Sequence, residues 1–195
     1  MRLPEYSRGR SRRQRLVLRV ARHAGVDFDD VVRVCLRRPA FFGTPFLALA
    51  QEVLRGDSVW SAGEREFFAA VVSGANRCGF CVGTHAEIAR LTLGPIIDDT
   101  WKDGRYGAQA TAAENVLQAL TRNPDLVPRT ELTAARAAGL DEAALIDALY
   151  VAYMFNVINR IADALDFTHR SERDRLRGAW ILRHNGYRLP AWLLR

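Results

Sequence analysis

Residues 61–91 read SAGEREFFAAVVSGANRCGFCVGTHAEIARL, and this stretch decides the fold. Ser61 followed by Glu64 has capping-box spacing: the Ser61 hydroxyl takes the third helical amide, and Glu64 returns a bond to the Ser61 amide. The pattern predicts a helix carrying Phe67, Phe68, Val71 and Val72 until Gly74-Ala75-Asn76 interrupts it. A second helix then starts near Arg77, carries both cysteines and runs to about Leu93, where Gly94-Pro95 closes it. At about 100° per residue, Cys78, Cys81 and His85 fall at about 0°, 300° and 340°, one narrow stripe. Cys81 and His85 form an i, i+4 pair, close enough for imidazole to take or return the thiol proton. Cys78 and Cys81, at i, i+3, can close a disulfide at a helix N-terminus. Cys78 falls in the first turn, where unpaired amides favour an anion, and Arg77 is adjacent; both features lower a thiol pKa. Glu66 lies on the preceding helix among Ala69, Ala70 and Ser73, a small-residue face that lets another backbone come close.

Outward from this core, apolar spacing is helical almost everywhere, and no stretch alternates cleanly enough to predict a strand. The expectation is an all-α chain. On the N-terminal side, residues 10–23 form a basic amphipathic helix with Leu16, Val20 and Leu18 on one side. Asp27 or Asp29 caps a short helix with Val31, Val32 and Cys35 that ends before Pro39, and residues 46–55 form another, stopped by Gly56. On the C-terminal side, helices are expected over 108–120, over 130–138 up to Gly139, from Asp141 through a long apolar run to Leu165, and over 171–184. The long helix is apolar around so much of its circumference that burial on several sides, partly in an oligomer, is expected.

The chain has 195 residues, 49% apolar and 26% charged, the composition of one folded domain. We divide it into a basic N-terminal arm or helix, residues 1–24, and a single helical domain, residues 25–195. No run of 18 apolar residues occurs and no secretory h-region is visible, so neither a membrane span nor export is expected, and the cytoplasm is the expected compartment. The net charge of +6 is concentrated in residues 1–25, which hold eight arginines against Glu5; the rest carry 20 basic and 21 acidic residues. Three cysteines do not make a disulfide scaffold, so Cys78-x-x-Cys81 indicates either a metal site or redox chemistry. Zinc would need a fourth ligand, for which only His23, His169, His184 or an acid remain, and no second cysteine pair exists; no metal is expected. Inert core cysteines would leave Glu66 and His85 unexplained. Cys35 and the four tryptophans read as packing. Asn156, Asn159, Arg160 and Asp163 make a polar stripe through the long helix, read as a buried structural network in preference to a pocket lining.

Glu66, eleven intervening residues, then Cys78-Gly-Phe-Cys81-Val-Gly-Thr-His85 resembles the Glu…Cys-x-x-Cys-x-x-x-His signature of the AhpD-like alkylhydroperoxidases of the carboxymuconolactone decarboxylase superfamily. Residues 155–163, Phe-Asn-Val-Ile-Asn-Arg-Ile-Ala-Asp, resemble the second-half helix of its peroxidase-related branch. The resemblance covers roughly residues 38–168 and departs at Phe80, where the best-studied members carry a histidine. It implies an AhpD-like helical bundle with the cysteine pair near the N-terminus of a core helix, assembled as a homo-trimer or hexamer. It also implies a thiol-dependent peroxidase or disulfide oxidoreductase, with Cys81 peroxidatic, Cys78 resolving, and Glu66 with His85 as the proton relay, acting through a water. No dinucleotide-binding loop is visible and no cofactor is expected, so an external dithiol or protein reductant must supply electrons to a peroxide or disulfide substrate. The alternative is a redox-responsive nucleic-acid-binding or regulatory protein using the Arg-rich arm, but the arm lacks interleaved aromatics apart from Tyr6 and no DNA-binding motif accompanies it.

Overall fold

The Ser61 capping box forms: Ser61 Oγ accepts from the Glu64 amide at 3.3 Å, and the Ser61 amide donates to Glu64 Oε2 at 2.7 Å. A computed structural model describes residues 11–23, 29–94, 107–123, 125, 129–168 and 171–194. In chain order its helices are α1 (Arg12–His23), α2 (Asp30–Arg37), a π-helical turn (Pro39–Gly43), α3 (Thr44–Arg55), α4 (Ala62–Ala75), α5 (Gly79–Leu93), α6 (Ala108–Arg122), α7 (Arg129–Ala137), α8 (Glu142–Leu165) and α9 (Glu172–Asn185). No strand occurs among the described residues, as the helical spacing predicts. The expected Asp27 cap, Pro95, Trp101, His169 and residues 1–10 of the arm lie outside the described residues.

Helix α4 ends in a Schellman motif. Arg77 takes a left-handed φ of 61°, its amide donates to the Gly74 carbonyl, and the Cys78 amide donates to the Ser73 carbonyl. This tight reversal starts α5 two residues later than the sequence suggests, so Cys78 is the residue before the helix and not part of its first turn. The same device at Asp166, φ 55°, ends α8 and turns Phe167 back into the interior, its amide bonded to the Ala162 carbonyl at 2.9 Å.

Helices α4 and α5 pack side by side, and α4, α6 and α8 enclose the main core around Phe68, Val72, Leu117, Val151 and Phe155. Trp60 closes one end, its indole N–H donating to the Ala144 carbonyl at 2.7 Å and its ring meeting Phe68 edge-on. By length and composition α8 is apolar enough to cross a bilayer, yet here it is the bundle's core helix, packed against α3, α4 and α6. Gly63 lies where α4 meets the end of α5, so close that a Cβ there would overlap the Leu93 side chain.

Three local expectations are corrected. On α1 the buried residues are Gln14 and Leu18, while Leu16 and Val20 are exposed, because α1 docks through Leu18 on Leu36 and Leu193 and through Gln14 Nε2, which donates to the Leu193 carbonyl at 3.3 Å. The apolar stripe of α1 predicted a core face that the C-terminal segment supplies from a different side. Helix α3 begins at Thr44, preceded by the π turn, whose Gly43 backs onto the Cys35 carbonyl where a Cβ would collide. Trp60 packs in the core, but Trp180 and Trp192 are half exposed. Cys35 is fully buried, and burial pushes its thiol up to about 12.

Candidate active site

Helices α4 and α5 bring the four sequence-selected residues together. Cys78 and Cys81 are both buried free thiols, their sulfurs 3.1 Å apart, close enough to share a proton. Cys78 is held below the ordinary thiol range, chiefly by the hydrogen bond from the Cys81 thiol, which outweighs burial, with help from the Cys81 backbone amide. Cys81 is pushed in the opposite direction because its proton is held against the Cys78 sulfur and the site is desolvated. The first proton is therefore lost more readily from Cys78, and the second leaves with difficulty.

Glu66 meets His85 directly, Oε2 to Nδ1 at 2.7 Å, where the family resemblance implies a water between them. His85 can donate through Nδ1 to the carboxylate, which leaves Nε2 as the nitrogen free to exchange protons. The His85 ring lies edge-on against Phe155, with centroids 4.5 Å apart. Glu66 has no exposed surface, and its other oxygen is held by two residues the sequence reading does not select. Arg55 of α3 contacts Oε1 at 2.6 Å, and the Tyr187 hydroxyl donates to the same oxygen at 2.8 Å. Burial opposes the Glu66 charge, but the His85 hydrogen bond and charge, then Arg55 and Tyr187, hold the carboxyl below its usual range. Burial and the adjacent carboxylate push the Tyr187 phenol well above its usual range, so it stays a donor.

Tyr187 reaches this position because Gly186, φ 65°, turns the chain after α9 and the Tyr187 amide then donates to Gln51 Oε1 at 2.9 Å. Arg55 is fixed by donating to the Leu54 and Leu182 carbonyls and lies over the Tyr187 ring at 5.1 Å. Nothing in local sequence marks either residue: Arg55 is one of many arginines and ends an ordinary helix, and Tyr187 stands 121 positions after its partner Glu66.

Behind the thiols, Asn159 is fully buried and donates to Ser73 Oγ at 3.1 Å, while Asn76 Nδ2 donates to both Asn159 Oδ1 and Asn156 Oδ1. Asn159 also favours ionisation of Cys81, whereas Asp163 opposes that of both thiols. The polar stripe of α8 thus divides: the asparagines form the expected interhelical network, the same network touches the dithiol, and Arg160 is exposed. No group of three metal-ligating side chains exists among the described residues.

A cavity of about 320 Å³ opens onto the site. Its walls are mainly apolar, from Phe46, Leu54, Phe80, Met154, Phe155 and Ile158, and Cys81, His85 and Tyr187 face it, whereas Cys78 does not line it. Phe80, the position at which the sequence departs from the resemblance, meets Phe167 edge-on and walls the cavity beside Cys81.

No family model matches the sequence, and no curated protein matches it. Solved structures do match. A peroxidase-related protein from Silicibacter sp. TM1040 is 20% identical, covering 84% of this chain and 88% of its own length with a TM-score of 0.68. An alkylhydroperoxidase AhpD core, peroxidase-related protein from Ralstonia eutropha JMP134 is 22% identical, covering 87% of this chain and 90% of its own, with a TM-score of 0.65. These matches, each over more than four fifths of the chain, establish that the chain adopts the AhpD-like all-helical fold of peroxidase-related proteins.

Proposed function

We propose that the chain is a thiol-dependent peroxidase or disulfide oxidoreductase working through Cys78 and Cys81. The observation that carries this reading is the joint placement of two contacting sulfurs and a Glu66-held imidazole at one apolar cavity. Cys81 is the sulfur a substrate in the cavity meets. As the shared proton passes to Cys78, the Cys81 thiolate attacks the outer oxygen of a hydroperoxide, the O–O bond breaks, and the alkoxide takes a proton from the His85 imidazolium. The products are a Cys81 sulfenic acid and an alcohol. The Cys78 thiol then attacks the sulfenic sulfur, releasing water and leaving the disulfide. An external dithiol reduces it, and its two protons restore the shared proton of the cysteine pair and the proton on His85. A disulfide substrate follows the same sequence through a mixed disulfide on Cys81.

Within this scheme Glu66 fixes the His85 tautomer and stabilises the imidazolium, and Arg55 with Tyr187 hold the carboxylate in place. Positioned proton transfer of this kind contributes about 10² to 10⁴ in rate. The test is rapid mixing of the reduced chain with hydrogen peroxide, an organic hydroperoxide and a small disulfide, followed by mass spectrometry of the Cys78 to Cys81 peptide. An intramolecular disulfide formed faster than any reaction of Cys35 supports the proposal; only intermolecular links, or a chain isolated with stoichiometric zinc, defeats it.

A further inference from the structure

Helix α1 docks on the bundle through one side, and its other side takes no part in the dithiol site. With Arg12 as the origin and about 100° per residue, the buried Gln14 and Leu18 lie near 200° and 240°, so the direction opposite them is near 40°. Leu16 stands at that point, with Val20 and His23 within about 40° of it. Both apolar side chains are turned to solvent: Leu16 is 59% exposed and Val20 57%. Arg12 and Arg19 flank them on one side and Arg13 on the other, all exposed. Helix α1 holds five arginines and no acidic residue. The half-exposed Trp192 lies beside it, since the next residue, Leu193, packs on Leu18.

We propose that this outer face of α1 lies on an anionic phospholipid surface, with Leu16 and Val20 entering the headgroup layer and the arginines pairing with lipid phosphates and carboxylates around them. Charge complementarity fixes the sign of the partner, because a helix with only positive side chains gathers anions. The apolar pair fixes its class. A nucleic-acid backbone would meet Leu16, the outermost side chain, with phosphates and their water. A bilayer surface accepts arginine heads at the phosphates and, a few ångströms deeper, the aliphatic side chains between them. Neither signal suffices alone: two aliphatic side chains bury little area, and cations alone are held weakly once salt screens them. Together they make the two-signal pattern of reversible surface attachment. Tryptophan, the residue type at position 192, concentrates at the boundary between water and bilayer. Attachment of this kind needs no spanning helix, and it leaves Gln14 and Leu18 turned to the bundle. It stands apart from the cysteine chemistry, since no residue of α1 lines the cavity at Cys81.

Co-sedimentation of the full chain with lipid vesicles tests it. Binding is expected to vesicles of phosphatidylcholine with about one third phosphatidylserine, falling steeply as salt rises, and not to phosphatidylcholine alone. Arg12→Gln combined with Arg19→Gln is expected to lower the partition coefficient roughly 25-fold, about fivefold per arginine, and Leu16→Ser combined with Val20→Ser about tenfold. All four side chains are exposed, so both double variants should keep the parental helical circular dichroism. Duplex DNA is the comparison ligand, and any binding to it should be unaffected by the Leu16→Ser, Val20→Ser change. No binding to the anionic vesicles, equal binding to phosphatidylcholine alone, or parental vesicle affinity in either double variant overturns the proposal. Tighter binding to duplex DNA than to the anionic vesicles overturns it too, and assigns the face to nucleic acid.

Discussion

Glu66 is a carboxylate with no exposed surface and three partners, so its charge persists only while Arg55, His85 and Tyr187 stay in place. Its folded pKa lies below the unfolded one. The stability this contributes is therefore full above about pH 4.5, the ordinary value, and is lost as pH falls through the depressed folded pKa. Glu66→Gln is expected to flatten the acid limb of a denaturation midpoint against pH profile; an unchanged limb would mean the carboxylate is not ionised in the fold. Tyr187→Phe removes a donor that lowers the Glu66 pKa, so the acid limb of thiol oxidation should move to higher pH and the rate at neutral pH should fall roughly tenfold, the worth of one hydrogen bond to a charged group. Rapid-mixing rates from pH 4 to 9 read both. The cysteines differ in the same measurement. Cys78→Ser is expected to react with peroxide once and stall as a sulfenic acid, Cys81→Ser to lose the first step, and Cys35, held up to about 12, to stay unmodified until the chain unfolds.

At the level of elements, the two helix ends that frame the site are set by left-handed residues. Gly186 takes φ 65°, and a Cβ there would also overlap Gln51 Oε1, the atom that holds the Tyr187 amide. Gly186→Ala should cost at least about 1 kcal/mol and slow thiol oxidation as Tyr187→Phe does, because both release Glu66 Oε1. Arg77 is the contrasting case: its left-handed conformation is unfavourable for a residue with a Cβ. Arg77→Gly is expected to stabilise the chain by up to about 1 kcal/mol, read as a raised denaturation midpoint. A lower midpoint would show that Arg77 makes a contact worth more than its backbone strain.

Across the whole molecule, the segment after α9 joins two distant regions. Tyr187 completes the site, while Leu193 packs on Leu18 and Leu36 and accepts from Gln14, tying α1 to the bundle. Removing residues 190–195 should release α1, with trypsin cleaving its arginines many times faster, while the α4, α6 and α8 core keeps its helical signal. Equal cleavage of parent and truncated chain would mean that α1 is held by something other than this segment. The all-helical architecture was legible in sequence because apolar spacing is helical along most of the chain and three helices carry side-chain start signals: the Ser61 box, the Asp141 cap that accepts from the Ala144 amide at 2.7 Å, and Ser171. The π turn at Pro39–Gly43 was not, since its geometry depends on Gly43 sitting against the Cys35 carbonyl.

Sequence alone determined what is local. The i, i+3 and i, i+4 spacings put Cys78, Cys81 and His85 on one stripe because helix geometry is the same wherever a helix forms, whereas Glu66 was singled out by its small-residue face and the family signature and meets His85 through the packing of α4 on α5. Only the tertiary structure decided the rest. Arg55 and Tyr187 reach Glu66 from positions 11 and 121 residues away, and no periodicity relates residues on separate helices. The same limit applies to α8, whose apolar pattern covers both a buried face and an exposed one; hydrophobicity is a property of each side chain, whereas burial depends on which other elements the fold brings against it.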